Sequence, residues 1–103
     1  MPAGTVCPEI EAEIEHKEEL APLWRVVCHD DPVTTMEFVI EILRAVFRVR
    51  SVQAVELMYR VHHSGAAVLG HWPESAARRK VKRATALARS EGFPLTFSLE
   101  EAE

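Results

Sequence analysis

Two pairs of adjacent titratable residues, Asp30-Asp31 and His62-His63, are the first candidates for chemistry in this chain. A carboxylate and an imidazole can pass a proton between them as general base and acid. The other parts of an active site are missing from the sequence. No G-x-S-x-G elbow, H-E-x-x-H pair or phosphate-binding loop accompanies them. The histidines and carboxylates show no recognised ligand spacing on one element, so no metal and no cofactor is expected. Titratable residues without a constellation do not make a catalyst. The chain therefore reads as a non-enzyme.

The same residues suit binding better. Met58, Val61 and His62 stand at i, i+3 and i+4, which places them on one side of a helix. Met36 and Val39 have a similar relation on the helix before it. If both faces meet near the turn Asp30-Asp31-Pro32-Val33-Thr34, they enclose an apolar cup rimmed by carboxylates and an imidazole. Such a cup fits a ligand with an ammonium group beside a hydrophobic side chain. The apolar wall takes the side chain, and the carboxylates with a neutral histidine nitrogen accept from the ammonium. The plainer alternative is ordinary core for the Met and Val positions and a turn-forming role for the aspartates.

A third chemistry is nucleic-acid binding. Arg78, Arg79, Lys80, Lys82, Arg83 and Arg89 crowd one predicted helix, with Glu74 near its start. A basic helix can neutralise phosphates. The commoner meaning is the solvated face of an amphipathic helix. The formal net charge of −4 and the lack of interleaved aromatics argue against a nucleic-acid partner. A small ribosome- or RNA-associated domain using this helix remains the rival function.

The elements that must position these groups follow from pattern and punctuation. Leu23 to Cys28 is a β-prone run stopped by His29-Asp30-Asp31-Pro32. Thr34 and Glu37 form a capping-box pattern for a helix on which Met36, Val39, Ile40, Leu43, Val46 and Phe47 recur. Arg48 and Arg50 suit its C-terminal end. Ser51 fits as the cap of a second helix with a stripe of Val52, Val55, Met58 and Val61, and with Ala54 and Leu57 beside it. Gly65 ends that helix. Ala66 to Gly70 reads as a second strand. Pro73 fits the first turn of a third helix with Ala77, Val81, Ala84 and Ala88 inward, ended by Gly92 and Pro94. Leu95 to Leu99 alternates as a last strand. The order β-α-α-β-α-β predicts an α+β fold, a small three-stranded and mainly antiparallel sheet packed against three helices on one face.

Length and composition bound the rest. A chain of 103 residues with 48% hydrophobic residues suits one domain with its own core. Residues 1–22 read as a flexible acidic extension, rich in Glu9, Glu11, Glu13, Glu15, Glu18 and Glu19 and broken by Pro2, Pro8 and Pro22; residues 23–103 read as the core domain. No apolar run nears the roughly 20 residues of a membrane span, and no secretory signal opens the chain. Cys7 and Cys28 fit no metal motif and read as reduced thiols. A cytoplasmic monomer is the expectation.

The blocks taken together resemble the ClpS adaptors of the bacterial N-degron pathway. The matching residues are the strand Trp24 to Cys28, then D-D-x-x-T-x-M-E-F-V from Asp30 to Val39 and L-M-x-x-V-H-x-x-G from Leu57 to Gly65. Lys80-Val81, Ala86 to Arg89, Gly92 to Leu95 and Leu99-Glu100 continue the match. The resemblance covers about residues 23–101. It implies a fold similar to the C-terminal domain of the ribosomal stalk protein. It implies recognition of a free α-amino group and a first residue Leu, Phe, Tyr or Trp, with delivery to the unfoldase ClpA or ClpC and on to the peptidase ClpP. By the same resemblance, Asp30, Asp31 and His62 bind the α-amino group, and Thr34, Met36, Val39, Met58, Val61 and Leu95 line the side-chain pocket. Met36 is the gate against β-branched residues. Lys80, Glu74 and Ser75 dock the unfoldase, and residues 1–22 form the arm offered to it. The chain departs from the family pattern at Asp30, where many members carry Asn, at Pro32 in place of an acidic residue, and at Ser75 in place of a glutamate.

Overall fold

In a computed structural model that describes residues 21–102, the β-prone run at Leu23 becomes the central strand of an antiparallel sheet. The elements in chain order are β1 (Leu23–His29), α1 (Met36–Ala45), α2 (Ser51–Ser64), β2 (Ala66–Pro73), α3 (Glu74–Ser90) and β3 (Thr96–Glu101). The sheet order is β2-β1-β3, and both pairings of β1 are antiparallel. This is the expected α+β architecture. Most of the acidic extension, residues 1–20, and Cys7 with it, lies outside the described residues.

Alternation along β1 sends Val26 and Cys28 into the core with 0% and 1% exposure. Arg25 points to the other face and meets Glu100, its register partner on β3, at 3.8 Å. The pairing with β2 slips by one residue between Val26 and Val27, a bulge that leaves Leu69 without a partner and keeps both Ala67 and Leu69 buried. Gly70 stands beside it. The Trp72 ring lies over this glycine, and a Cβ there would sit 2.7 Å from that ring.

The helices are set by which of their residues are small or apolar. α3 buries Ala76, Ala77, Ala84 and Ala88, so its axis can approach the sheet closely, and it touches all three strands. Val81, expected inside, is only half-buried. α1 buries Phe38, Val39, Ile42 and Leu43, and Val46 and Phe47 continue the core beyond it. α2 buries Ala54, Leu57, Met58 and Val61 at i, i+3, i+4 and i+7. Val52 and Val55 are exposed at 76% and 38%, which corrects the predicted stripe. The stripe that packs runs through Ala54 and Leu57, about one residue's 100° turn away.

The helix ends also differ from expectation. α1 is capped by Thr35, whose hydroxyl accepts from the Phe38 amide at 3.2 Å, so the Thr34–Glu37 capping box does not form. The Thr34 hydroxyl is engaged by Asp31 instead. α1 stops at Ala45 with Arg44 in its last turn, leaving Arg48 and Arg50 in the connection that follows. Arg50 rather than Ser51 holds the cap position of α2, with no side-chain bond. Gly65 ends α2 as expected, at φ 88° with its amide on the Val61 carbonyl. Pro73 precedes α3 as its cap residue, and the last strand begins one residue after Leu95.

The capping assignment has a direct consequence. Thr35→Ala should lower unfolding stability by about 1 kcal/mol in urea titrations. A change within error would show that the Thr35–Phe38 bond does not support α1.

Candidate functional site

The site is built where β1 ends. Asp30 leaves the strand and its amide donates to the Gly65 carbonyl at 2.9 Å. That bond ties the Asp30–Thr34 turn to the C-terminal end of α2, the end that carries His62. Asp31 then organises the turn around its own carboxylate. Oδ1 accepts from the amides of Val33 at 2.8 Å and Thr34 at 2.7 Å, and Oδ2 accepts from the Thr34 hydroxyl at 2.7 Å. This is an Asx-type turn leading into α1.

A further segment closes the arrangement from the α3 side. The Phe93 ring meets Phe38 of α1 edge-on, with centroids 4.9 Å apart. One guanidinium nitrogen of Arg89, at the end of α3, donates to the carbonyls of both Phe93 and Leu95 at 2.8 Å each. Behind the turn, His29 Nε2 and Ser98 Oγ lie 2.7 Å apart and join β1 to β3.

These contacts sort the predicted pocket residues into a floor and a rim. Val39, Met58, Val61 and Leu95 belong to one buried cluster, with exposures of 7%, 5%, 2% and 1%. Asp31 and Thr34 are half-buried, and Asp30 and His62 are exposed. Met36, the first residue of α1, is 39% exposed. These apolar side chains are thus buried, while the turn exposes Asp30, Pro32 and Val33 and half-buries Asp31 and Thr34. His62 makes no hydrogen bond to either aspartate; its ring stands edge-on to His63 at 5.2 Å, and His63 stacks on Tyr59 at 5.9 Å.

Electrostatics agree with this geometry. Partial burial by itself would raise the Asp31 carboxyl. The bonds from the Thr34 hydroxyl, the Thr34 amide and the Val33 amide, with the positive charge of Arg89, outweigh it and hold the group below its ordinary 3.8. Asp31 is therefore a carboxylate at neutral pH. The Cys28 thiol beneath the turn is pushed up to about 12 by burial and then by the charges of Asp31 and Asp30. It is free, and it packs as a small apolar group.

The predicted docking residues are at the other end of β1. Leu23 pairs with Pro73 and His29 with Ala66, so the start of α3 is about a strand's length, roughly 20 Å, from the aspartate turn. There Glu74 holds Arg78 through bonds of 2.7 and 2.9 Å, and the Arg78 guanidinium lies over Trp24. The Lys80 ammonium sits 3.4 Å from the Val46 carbonyl and over the Trp72 ring. Glu74 and Ser75 line a groove of about 450 Å³ that also takes in Trp24 and Ala102. A larger hollow, about 870 Å³, lies on the outer side of α1 by Arg44 and Arg48, and no predicted pocket residue lines it.

Sequence reasoning missed Phe38, Phe93 and the role of Arg89. The Phe38–Phe93 contact joins parts of the chain that meet only after folding, and the Arg89 bonds, though only four and six residues long, follow no helix or turn pattern. Among the described residues no three or more His, Cys, Asp or Glu side chains gather to hold a metal, and no helix is long and apolar enough to cross a membrane.

The fold and this site define a small α+β domain with an ionised, turn-held carboxylate at the end of its central strand. Comparison with known proteins makes the assignment particular. The family described as ATP-dependent Clp protease adaptor protein ClpS matches residues 19–98. The ClpS adapter of Desulforapulum autotrophicum is 39% identical over 90 residues, covering 87% of this chain and 86% of that protein. The one from Nitratidesulfovibrio vulgaris is 39% identical over 103 residues, covering 98% and 99%. Among solved structures, Agrobacterium tumefaciens ClpS2 bound to L-phenylalaninamide superposes with a TM-score of 0.75 at 36% identity, covering 79% of this chain and 98% of that one. The chain belongs to the ClpS family: it is an adaptor of the Clp protease and not an enzyme.

The lowered Asp31 pKa fixes an acid dependence. A depressed carboxyl stabilises the fold above its unfolded value of 3.8, and this contribution is lost as pH falls below that value through the folded one. The stability advantage of wild type over Asp31→Asn should be constant from pH 7 to about 5 and shrink below 3.8. An advantage independent of pH down to 2 would remove the carboxylate from this role.

Proposed function

We propose that this adaptor recognises the first residue of its substrates, through their free α-amino group and a bulky hydrophobic side chain, Leu, Phe, Tyr or Trp. The observation that carries the reading is the state of the Asp31 carboxylate. A carboxylate offers about four acceptor positions. Three are taken by turn donors, two on Oδ1 and one on Oδ2. One remains on Oδ2, on a group held ionised and fixed in direction. An ammonium accepted there needs no rearrangement of the turn. Asp30 adds a second negative charge nearby, and a neutral His62 nitrogen can accept another ammonium proton.

The first side chain would then lie over Val39, Met58, Val61 and Leu95, with Thr34 at its edge. These residues are already covered, so a side chain enters only when something above them moves. Met36 is the candidate: it is unbranched, partly exposed and placed at the start of α1. Its thioether crowds the space where a β-branch would sit. Chemistry supports the reading as well, since the L-phenylalaninamide bound by the Agrobacterium relative carries an α-amino group and a benzyl side chain.

Delivery would use the opposite end of the molecule. Glu74, Ser75 and Lys80 would dock ClpA or ClpC in the cytoplasm, residues 1–22 would be the arm offered to the unfoldase, and ClpP would degrade the substrate. The adaptor would act as a monomer. Separation of the two ends by the length of β1 lets both partners bind together.

A titration with peptides differing only at the N-terminus tests the pocket. A peptide with a free N-terminal Phe should bind, and its N-acetylated form should not, because acetylation removes the ammonium. Asp31→Ala should weaken the free peptide by about 2 kcal/mol or more, as for a charge-assisted contact. Equal binding of both peptides would defeat the reading, and a salt-steep affinity for RNA without peptide binding would favour the ribosomal rival. Separately, Met36→Ala should admit peptides beginning with Ile and Val, measured by the same titration. Continued exclusion of both would take Met36 out of the gate.

A further inference from the structure

The segment between α3 and β3 carries no regular structure of its own, yet it supplies Leu95, the least exposed residue of the proposed pocket floor. Its backbone is held mainly from α3. The Phe93 amide donates to the Ala88 carbonyl at 2.9 Å, and the Gly92 amide to the Arg89 carbonyl at 3.0 Å. Pro94 has no amide to give. The carbonyls on either side of it, those of Phe93 and Leu95, are both taken by one nitrogen of Arg89. A planar guanidinium with two N–H bonds on one nitrogen fixes both acceptors in a single geometry. The same segment presses the Phe93 ring against Phe38, four residues into the chain beyond Thr34.

We infer that Arg89 is a positioning and specificity-determining residue of this adaptor: by clamping the Phe93 and Leu95 carbonyls it fixes where the Leu95 side chain stops, and so sets the depth of the pocket and its choice among first residues by size. The inference rests on the proposed recognition of N-terminal residues. A short first side chain such as Leu does not press on the floor. Trp does, and its fit depends on whether the floor yields. With the clamp in place the backbone of residues 93–95 resists. Without it, the amides of Gly92 and Phe93 still bond the end of α3 and Thr96 still pairs with His29, but the Phe93 and Leu95 carbonyls are released.

Arg89 also acts on Asp31 through its charge. That effect falls on the ammonium end and is common to every peptide with a free N-terminus, so it cancels in a ratio of affinities. Lost stability cancels in the same way. The ratio between first residues therefore isolates the positional role.

The experiment is a titration of the full chain, wild type, Arg89→Ala and Arg89→Lys, with peptides that differ only in beginning with Leu, Phe or Trp. In Arg89→Ala the Trp-to-Leu affinity ratio should move toward Trp by roughly threefold or more, modest beside the 10–200-fold that a methylene is worth in a rigid pocket. Arg89→Lys keeps the charge without the planar fork and should move the ratio the same way by less. Affinities that all fall by one factor, or ratios equal to wild type, would overturn the inference while leaving the recognition of N-termini standing. If Arg89→Ala does not fold, Arg89→Lys decides alone, with an unchanged ratio counting against the inference. A wild-type chain that binds none of the free peptides would overturn both.

Discussion

β1 is paired on both edges, and the rest of the domain is arranged by that fact. A strand in the middle of an antiparallel sheet has its backbone donors and acceptors satisfied and cannot shift without breaking two ladders. Its register therefore fixes two distant points. At one end it delivers Asp30 to the Gly65 carbonyl, which places the aspartate turn against the end of α2. At the other it sets Leu23 beside Pro73, from which α3 departs. The two ends of one strand thus hold the two regions proposed for recognition and for docking.

The aspartate turn shows how one side chain can serve fold and binding together. Three donors on Asp31 define the entry to α1, and those donors also keep the carboxylate charged in a partly buried setting. A carboxylate fixed by the chain has lost its rotamer freedom before any ligand arrives, so an ammonium meets a preorganised acceptor. The aspartate beneath which Cys28 is buried gives the turn its negative character, and Arg89 sets its limit from the α3 side. Arg89 links the two themes, because the same side chain ties down the backbone before β3.

Small residues do comparable work for the packing. The alanines of α3 let that helix lie close over all three strands, and the glycine at position 70 makes room for the Trp72 ring. The Phe47 ring then joins the two ends of the sheet, meeting Trp72, which pairs with Trp24, and Phe97, which pairs with Cys28.

The sequence by itself determined the element order, the glycine that ends α2, the aspartate turn and the inward face that carries Val39, Met58 and Val61. Those features are local: periodicity, turn chemistry and a left-handed glycine act within a few residues, so the chain shows them directly. The blocks around Asp30–Val39 and Leu57–Gly65 were enough to indicate the family. Tertiary structure decided what depended on contacts across elements. It turned Val52 and Val55 outward, because the face of α2 that packs is chosen by its neighbours and not by hydrophobicity alone. It set Phe93 against Phe38 and brought the Asp30 amide to the Gly65 carbonyl. The cap of α1 is a local outcome that the pattern misplaced by one residue: the Thr34 hydroxyl donates to Asp31, and the Thr35 hydroxyl accepts from the Phe38 amide. A pattern in sequence can say which residues are apolar or charged, but only the packed fold decides which of them face one another.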